Sequence, residues 1–333
     1  MNILISYGTR PEWLKVKPLW EKYPDYFKLL RVNQHTDLLK GLPSDYEIDY
    51  CLDSNNRLNE IVMNNLYNIV DLTQFDAVLV QGDTTSAFSI ALSAYHMGVP
   101  VIHLEAGLRT YSLNPYPEEF NRRAIALMTK IHLCPTHDNL MALHDERLLG
   151  EKYVVGNTVL DNLSGVKTST KDKVLITLHR SENVPIMDEW FEALESCAEA
   201  NPDLEFILPM HPNPKIRKHK DLLKSVQVVE PLDYDSLIKL MAESNFIITD
   251  SGGIQEEASF LKKRVLVGRK ETERAETIGI SSWFTEPTSL FNQVRLMQED
   301  LYRIPSNFKC PYGDGKSSEQ IIHILRRYFD EKF

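Results

Sequence analysis

Short apolar runs alternate with longer segments of helical periodicity along the whole chain. In the first half, strands are predicted at residues 2–6, 28–32, 77–80, 99–104, 131–134 and 153–155. Helices are predicted between them, from Pro11 and over residues 85–96, 118–129 and 136–149. Pro11 suits the first position of a helix, where no backbone donor is needed. Strands that are apolar on both faces and alternate with helices are typical of a doubly wound parallel sheet.

The same alternation restarts after a polar stretch at residues 161–172, which predicts a linker. The later strands are predicted at residues 174–178, 204–208, 226–229, 246–249 and 264–267. The later helices are predicted from Met187, over 216–223 and 234–242, from Ser251, and over 317–329. We therefore predict an α/β protein with two Rossmann-like doubly wound domains, residues 1–165 and 166–316, and a C-terminal helix at 317–333. The domains should face a central cleft, with ligands at the carboxyl ends of the strands.

Composition and charge narrow the class of protein. The 333 residues are 43% hydrophobic and 25% charged, as in ordinary globular proteins. A net charge of −10, without a cluster of lysine and arginine, argues against a nucleic-acid partner or an anionic membrane surface. The longest uncharged run, residues 84–104, is broken by Gly98 and Pro100, so we predict a helix and a strand there and no membrane span.

The cysteines and the first residues indicate a cytoplasmic protein. The cysteines are far apart and form no C-x-x-C pair: Cys51, Cys134, Cys197 and Cys310. We therefore predict reduced thiols without a disulfide frame or a metal site. The first residues, MNILISYGTRPE, predict a strand and a turn in place of a signal peptide.

The stretch DSGGIQEEASFLKKRVLVGRKETER is the most informative part of the chain. A buried strand leads into Ser251, Gly252 and Gly253, and an amphipathic helix is predicted to follow. Backbone N–H groups and the positive end of the helix dipole would converge at that turn, which suits a phosphate. Glu257 lies one turn into this helix, and Arg274 lies in a polar turn after the next strand. The alternative is an ordinary glycine turn with a serine cap.

Polar residues recur at the predicted strand ends in both halves of the chain. They are Arg10, Asp83, Glu105, Glu118 and Arg122 in the first half, and His179, His211 and Ser251 in the second. Because open α/β sheets bind ligands at the carboxyl ends of their strands, these side chains are predicted to line a site. Simpler roles stay open for single residues: a helix cap for Asp83, ion pairs of Glu105 and Glu118 with Arg109 and Arg122, and a solvated turn at His179 and Arg180.

Three carboxylates and a histidine near a phosphate-binding turn indicate proton transfer beside a phosphate leaving group. Carboxylates crowded into one site raise one another's pKa, so one can act as an acid and another as a base. The spacing of histidines and carboxylates predicts no metal site. Gly8-Thr9-Arg10 is neither a dinucleotide fingerprint nor a Walker loop, so no cofactor is predicted.

Short segments along nearly the whole chain match one family in its own order. They are GTRPE at 8–12, QGDTTS at 81–86, HLEAGLRT at 103–110, PEEFNR at 117–122, GNTVLD at 156–161, LHRSEN at 178–183, HPNP at 211–214, SGGIQEE at 251–257, ETER at 271–274 and PYGDG at 311–315. On these segments the chain resembles the non-hydrolysing UDP-N-acetylglucosamine 2-epimerases. The resemblance implies a GT-B fold, a UDP-binding second domain, a C-terminal helix that crosses back to the first domain, and a homodimer.

The resemblance also implies a reaction and roles for residues. The family inverts carbon 2 of UDP-N-acetylglucosamine by eliminating UDP to a 2-acetamidoglucal and adding it back, which supplies precursors of cell-surface polysaccharide. By position, the family's catalytic residues match Asp83, Glu105, Glu118 and His179. Its binders of the UDP-sugar substrate match Arg10, Lys15, Ser251, Gly252, Gly253, Glu257 and Arg274. Glu257 would accept from the ribose hydroxyls, and the turn at Ser251 would hold the diphosphate.

The chain departs from many bacterial members at a second UDP-sugar site that activates those enzymes. Thr36 and Asn64 stand where arginines are usual. Gln34, Arg180 and His211, which also match that site, are retained. We therefore expect a second UDP-sugar to bind poorly.

Other functions stay open at this point. An enzyme acting on a related UDP-2-acetamido sugar, or a hydrolysing form that releases free N-acetylmannosamine, would share these motifs. A catalytically weak UDP-sugar binding protein is a different class, and the retained carboxylates and His179 argue against it. The same set of carboxylates disfavours a GT-B glycosyltransferase.

Overall fold

The computed structural model describes residues 1–33, 39–49, 56–113 and 115–330. The chain divides into two compact units, one made of Met1–Asn162 with Tyr312–Phe333 and the other of Leu163–Pro311. The last segment therefore belongs to the first unit, although it follows the second in sequence. The predicted boundaries, after residue 165 and after residue 316, fall close to these divisions.

The first unit is built on a parallel sheet. Its described strands are β1 (Ile3–Tyr7), β2 (Phe27–Val32), β3 (Tyr46–Ile48), β4 (Ala77–Gln81), β5 (Val101–Leu104), β6 (Thr129–Cys134) and β7 (Glu151–Val154). Within the described residues they pair in parallel, in the order β3-β2-β1-β4-β5-β6-β7. The helices that alternate with them are α1 (Arg10–Lys22), α2 (Arg57–Asn68), α3 (Thr85–His96), α4 (Glu118–Met128) and α5 (His137–Asp145).

Side chains of β1 point alternately to the two faces of this sheet. Ile3 and Ile5 belong to one buried apolar cluster with Val16 of α1. Leu4 belongs to another cluster with Ile90 of α3. The strand is buried at every position because both of its faces are covered, and its residues are mostly apolar, as the sequence pattern predicted.

The second unit is built on a smaller parallel sheet. Its strands are β8 (Lys173–Thr177), β9 (Glu205–Pro209), β10 (Gln227–Val229), β11 (Phe246–Thr249), β12 (Arg264–Val267) and β13 (Ser282–Phe284), paired in the order β10-β9-β8-β11-β12-β13. Its helices are α6 (Met187–Ala200), α7 (Pro214–Arg217), α8 (Tyr234–Glu243), α9 (Gly252–Phe260) and α10 (Pro287–Gln298). Trp190 and Phe191 of α6 pack in its apolar core with Leu290 of α10.

The strand order of each sheet reverses at an internal point, between β1 and β4 in the first and between β8 and β11 in the second. Connections leave such a switch point in opposite directions, which opens a crevice at the carboxyl ends of the strands. Arg10 and Asp83 follow the first pair of strands, and His179 and Ser251 follow the second pair. The topology thus places predicted site residues at both switch points.

The last helix, α11 (Ser317–Phe329), belongs to the first unit. Ile321 and Leu325 lie in the same apolar cluster as Val16 of α1. The buried carboxylate of Asp161 accepts from the backbone N–H groups of Ser317 at 3.0 Å and Ser318 at 2.8 Å. A carboxylate at this position satisfies donors of the first helical turn and is favoured by the helix dipole.

The structure also contains elements that the pattern did not predict, namely β3, β13, α2 and α10. The edge strands β3 and β13 are short and only partly buried, so they lack the apolar runs of central strands. The helix predicted over residues 136–149 ends at Asp145. The helix predicted over 216–223 is the short α7 followed by a 3₁₀ turn at Lys220–Leu222.

Candidate active site

A buried carboxylate ties together the loops that follow β1 and β4. Glu12, in the first turn of α1, accepts from the backbone N–H of Gly8 at 2.7 Å and from the hydroxyl of Thr84 at 2.6 Å. Burial raises the pKa of Glu12, and the hydrogen bonds from Thr84 and Gly8 oppose that rise. This contact fixes the edge of the first sheet on which Arg10 and Asp83 lie.

Asp83 is held by an arginine of α4. Its Oδ2 accepts from Nε of Arg122 at 3.0 Å and also from Nη2 of the same side chain. Asn121 donates to the backbone carbonyl of Asp83 at 2.9 Å. The Asp83 side chain is 26% exposed, whereas that of Arg122 is 6% exposed. Asp83 is therefore fixed in orientation and still accessible to a ligand.

Glu105 lies beside Lys15, so the structure brings together a predicted catalytic residue and a predicted binder. Oε2 of Glu105 accepts hydrogen bonds from Nζ of Lys15 and from Nε2 of Gln81. The backbone of Glu105 is in the left-handed region, with φ of 67°. Such a conformation costs energy outside glycine and is found most often at functional sites. The Glu105 and Lys15 side chains are both largely buried, which strengthens their attraction.

The neighbours Glu118 and Glu119 have opposite environments. Glu119 is buried and accepts from the backbone N–H and the hydroxyl of Thr110, at 3.1 and 3.0 Å. It also pairs with Arg122 at 3.2 Å, so it holds the loop after β5 and the arginine that binds Asp83. Glu118 is half-buried and has no hydrogen-bond or ion-pair partner among the described residues. Arg10, which opens α1, is exposed and likewise has no such partner in the described ranges.

In the second unit, Arg274 lies against the turn that opens α9. A Cβ on Gly252 would lie 3.1 Å from Cζ of Arg274, so glycine permits this close approach. Nε of Arg274 donates to Glu256 at 2.7 Å, and Nη1 donates to Glu273. Burial raises the pKa of Glu273, but Arg274 and other nearby arginines outweigh this and lower it to about 2. The guanidinium is thus fixed between two carboxylates beside the turn.

The first turn of α9 is suited to an anion. Gly252 and Gly253 open the helix, and the first N–H groups of a helix have no acceptor within it. Ser251 occupies the cap position, but its side chain makes no capping hydrogen bond, so the serine-cap alternative is wrong. The helix dipole and the Arg274 guanidinium add positive potential at this end, which favours a phosphate.

Glu257 of α9 is held by a phenol. It is 5% exposed, and its Oε1 accepts from the hydroxyl of Tyr234 at 2.9 Å. Tyr234 opens α8, so this hydrogen bond joins the start of that helix to α9. The contact orients the carboxylate that is predicted to bind ribose.

His179 follows β8 and packs against the buried carboxylate of Asp250. Oδ2 of Asp250 accepts from the backbone N–H groups of His179 at 2.9 Å and Arg180 at 2.8 Å, and from Nδ2 of Asn183 at 2.9 Å. Nδ1 of His179 lies 3.5 Å from Oδ1 of Asp250. Burial lowers the pKa of His179, while Asp250 opposes this shift and Arg180 reinforces it.

His211 stacks on His179, with ring centroids 5.3 Å apart and planes 8° apart. Burial lowers the pKa of His211, and the neighbouring His179 lowers it further. The structure therefore joins His211 and Arg180, both predicted for a second ligand site, to the surroundings of His179. Gln34 and Thr36 lie outside the described residues. Asn64 of α2 donates to the backbone carbonyl of Glu60 at 2.9 Å.

These contacts correct two of the simpler roles that the sequence left open. Thr84 caps α3 by accepting from the backbone N–H of Ala87 at 3.0 Å, so Asp83 is not the cap. Arg122 binds Asp83 and Glu119 and makes no described contact with Glu118.

Sequence reasoning missed Asp250 as a functional residue, although a signal was present. Asp250 is a carboxylate at the carboxyl end of a buried strand, next to Ser251. It also missed Glu256 and Tyr234, for which the sequence carried no such signal. Their partners, Arg274 and Glu257, become neighbours only in the folded unit.

The described residues also bear on cysteine chemistry, metal binding and membrane insertion. Burial raises the pKa of the Cys134 and Cys197 thiols to about 12, so neither is a thiolate nucleophile at neutral pH. Among the described residues, no group of three or more histidine, cysteine, aspartate and glutamate side chains is arranged to hold a metal ion. In the same ranges, every helix is too short or too polar to cross a membrane.

The chain is similar in sequence to known proteins. The family model described as UDP-N-acetylglucosamine 2-epimerase matches residues 33–326. A UDP-N-acetylglucosamine 2-epimerase of Neisseria meningitidis serogroup A is 36% identical, over 98% of this chain and 99% of the relative. One from Campylobacter jejuni is also 36% identical, over 97% of both chains.

A solved structure is similar over the whole length. The crystal structure of UDP-GlcNAc 2-epimerase from Neisseria meningitidis bound to UDP-GlcNAc matches with a TM-score of 0.85 and 32% identity. The match covers 98% of this chain and 100% of that chain. This similarity, with the two parallel sheets, confirms the predicted GT-B fold with Rossmann-like domains.

Proposed function

The chain belongs to the UDP-N-acetylglucosamine 2-epimerase family, and we propose that it converts UDP-N-acetylglucosamine into UDP-N-acetylmannosamine by inverting carbon 2 of the sugar. The observation that carries this proposal is that the first unit holds acid–base side chains at its strand ends, while the second holds an anion-suited turn. The reaction takes place in the cytoplasm and supplies precursors of cell-surface polysaccharide.

The second unit binds the UDP part of the substrate. Backbone N–H groups of Gly252 and Gly253 and the guanidinium of Arg274 contact the diphosphate, as the positive end of α9 favours. Glu257 accepts hydrogen bonds from the ribose hydroxyls. The contacts with Glu256 and Glu273 support this role, because they fix the guanidinium before the ligand arrives.

The reaction needs more than a base at carbon 2, since the proton there is not acidic by itself. When the anomeric C–O bond breaks, its electron pair leaves with UDP and the sugar gains oxocarbenium character. The carbon-2 proton then passes to a base, and a double bond forms between carbons 1 and 2. In the reverse addition, UDP oxygen attacks carbon 1 and an acid delivers a proton to carbon 2 from the opposite face.

The proton-transfer groups are Asp83, Glu105 and Glu118 of the first unit and His179 of the second. Arg122 and Lys15 orient Asp83 and Glu105, and a fixed orientation is what proton transfer at a defined face requires. Glu118 is half-buried without a described partner, which leaves its carboxylate available to the sugar.

Deuterium incorporation tests the reaction directly. The enzyme is incubated with UDP-N-acetylglucosamine in deuterated water, and proton NMR follows carbon 2. We expect the epimerised product to carry deuterium there, because the original proton is lost during elimination. Retention of that hydrogen contradicts the mechanism. Accumulation of free N-acetylmannosamine and UDP identifies a hydrolysing enzyme, and binding without turnover identifies a UDP-sugar binding protein.

Neutral variants test the acid–base residues in the same assay. Asp83→Asn, Glu105→Gln and Glu118→Gln should each lower kcat by about 10²–10⁴-fold, or roughly 3–5 kcal/mol of barrier. UDP affinity should change little, because the UDP contacts belong to the second unit. Glu243→Gln is a matched control. This carboxylate is the last residue of α8 and is held by Lys171 at 2.6 Å, away from the carboxyl ends of the strands. Full turnover in a variant removes that residue from the mechanism.

We also propose that the protein is a homodimer. Large apolar side chains are exposed on α2, α3 and α4 of the first unit: Tyr67, Tyr95, Phe120 and Leu127. These helices lie next to one another, and apolar surface exposed on neighbouring helices is typical of protein interfaces. Sedimentation velocity should give twice the mass of the chain, and Phe120→Glu should shift the population toward monomer. The matched change of exposed Phe291 to glutamate should not, and a wild-type monomer at all concentrations contradicts the proposal.

A further inference from the structure

We infer that Asp250 is the positioning residue of His179: it holds the imidazole with a proton on Nδ1 and leaves Nε2 as the proton acceptor. The inference deepens the proposed function, because it rests on the role of His179 in that reaction. It assigns a task to a buried carboxylate that contacts neither the diphosphate-binding turn nor the carboxylates of the first unit through any described hydrogen bond.

Asp250 is built into the second sheet as a rigid acceptor. It is 0% exposed and follows β11 directly. Its Oδ2 accepts hydrogen bonds from the backbone N–H groups of His179 and Arg180, so the carboxylate fixes the backbone conformation after β8. Hydrogen bonds to an ionised acceptor are about twice as strong as neutral ones, which makes this loop well ordered.

Asn183 also holds the Asp250 carboxylate in a fixed orientation. Its Nδ2 donates to Oδ2 of Asp250 and to the backbone carbonyl of Gly268, both at 2.9 Å. Its Oδ1 accepts from Nε1 of Trp190 at 3.1 Å. Gly268 follows β12 and Trp190 lies on α6, so two parts of the second unit fix the side chain that fixes Asp250. Rotation of the carboxylate away from His179 would break these contacts.

The other oxygen of Asp250 faces the imidazole. Oδ1 is buried and has no hydrogen-bond partner in the described part of the chain. Nδ1 of His179 lies 3.5 Å away, so a shift of a few tenths of an ångström forms a hydrogen bond. Leaving a buried carboxylate oxygen without a donor is costly. Only a protonated Nδ1 can donate, so the carboxylate selects the Nδ1–H tautomer.

The charges around His179 make the Asp250 carboxylate important for proton transfer to the imidazole. His211 stacks on the ring of His179. Burial and Arg180, which follows His179 in the chain, disfavour a proton on the imidazole. Asp250 is the anionic group that counters them. When Nε2 accepts a proton from the sugar, the resulting imidazolium is stabilised by the carboxylate at its other nitrogen.

The variant Asp250→Asn separates this role from a structural one. The amide oxygen can still accept from the His179, Arg180 and Asn183 donors, whereas an NH₂ group replaces Oδ1. That group donates to Nδ1 and moves the imidazole proton to Nε2. We expect kcat to fall by about 100-fold or more, as for loss of an acid–base group, with UDP affinity changed by less than about threefold, which is no more than the net contribution of one ordinary hydrogen bond.

Tautomers are observed by long-range ¹H–¹⁵N NMR on the whole chain with labelled histidine, at a pH where His179 is neutral. The His179→Gln spectrum assigns the resonance. Wild type should show the Nδ1–H form and Asp250→Asn the Nε2–H form. Asp161→Asn is the matched control, since Asp161 is a buried carboxylate that accepts two backbone N–H groups without a histidine. It should keep the wild-type tautomer and near wild-type turnover.

The outcomes separate this inference from the proposed function. An Nε2–H tautomer in wild type overturns the role of Asp250, and this measurement needs no variant to fold. An unchanged tautomer in Asp250→Asn overturns it as well. If wild type shows the Nδ1–H form but no epimerase activity, the proposed function fails while the positioning of His179 by Asp250 stands.

Discussion

Side chains that we propose for substrate binding and proton transfer are held by charged partners in both units. Arg122 fixes Asp83, Lys15 contacts Glu105, and Glu256 fixes Arg274. Buried pairs of this kind are stable only when hydrogen bonding offsets the desolvation of both charges. Removing one partner therefore leaves the other as an uncompensated charge within the site.

The change Arg274→Ala should weaken UDP binding by about 1.5–3 kcal/mol, the usual contribution of a charged hydrogen bond. The loss has a second cause, because Glu256 and Glu273 remain beside the turn and repel the diphosphate. Isothermal titration calorimetry with UDP measures the effect. Arg295→Ala, which removes an exposed contact with Glu299 at 3.9 Å, should bind UDP as wild type does. Equal UDP affinity in the Arg274 variant would place this residue outside the site.

At the scale of elements, two neighbouring strands carry buried histidines at the same register position. His103 of β5 pairs with His132 of β6, and both are 0% exposed. Nε2 of His103 donates to the carbonyl of Gly82 at 2.8 Å, and Nε2 of His132 donates to that of Leu149 at 2.9 Å. Burial lowers the pKa of His103 to about 3 and that of His132 to about 4. Both imidazoles are therefore neutral at neutral pH in the folded protein.

These shifts predict that the free energy of unfolding falls as the pH is lowered below about 6.5, the ordinary histidine pKa. The unfolded chain takes up protons from that pH downward, whereas the folded chain resists until pH about 4 for His132 and about 3 for His103. At pH 5 each histidine should cost about 2 kcal/mol, from 1.36 kcal/mol per pH unit. Urea unfolding at pH 7.5 and pH 5 measures this loss.

A histidine substitution isolates the contribution of one strand. In His132→Gln the loss of stability between pH 7.5 and pH 5 should be smaller than in wild type by about 2 kcal/mol, because the contribution of His132 disappears. The exposed His323 of α11 provides the control, and His323→Gln should keep the wild-type dependence. A stability that does not change with pH over this range would contradict neutral burial of both strand histidines. Glu12 acts in the opposite sense, since burial raises its pKa.

At the scale of the whole molecule, Thr36 and Asn64 stand at two positions where the family resemblance implies arginines of a second UDP-sugar site. Asn64 offers no positive charge, and its amide donates to the Glu60 carbonyl. Thr36, outside the described residues, is also uncharged. Initial rates should therefore be hyperbolic in UDP-N-acetylglucosamine, without strong activation. A sigmoidal curve, or a need for UDP-N-acetylglucosamine when the reaction starts from the mannosamine epimer, would show that the second site works without these arginines.

The amino-acid sequence by itself determined the order of strands and helices and the positions of polar residues at strand ends. A central strand covered on both faces is mostly apolar, so β1, β4, β8 and β11 were visible as apolar runs. Edge strands such as β13 bury less surface and carry no such pattern.

Only the tertiary structure decided which charged groups meet. Asp83 binds Arg122, which lies far along the chain on α4, while Glu119 and not Glu118 closes the loop at Thr110. Asp250 reaches His179 because β8 and β11 lie side by side in parallel. Such contacts depend on strand order and on a shift of a single helical position, and neither leaves a local mark in the sequence. The contact between Asp250 and His179 is therefore a property of the folded sheet.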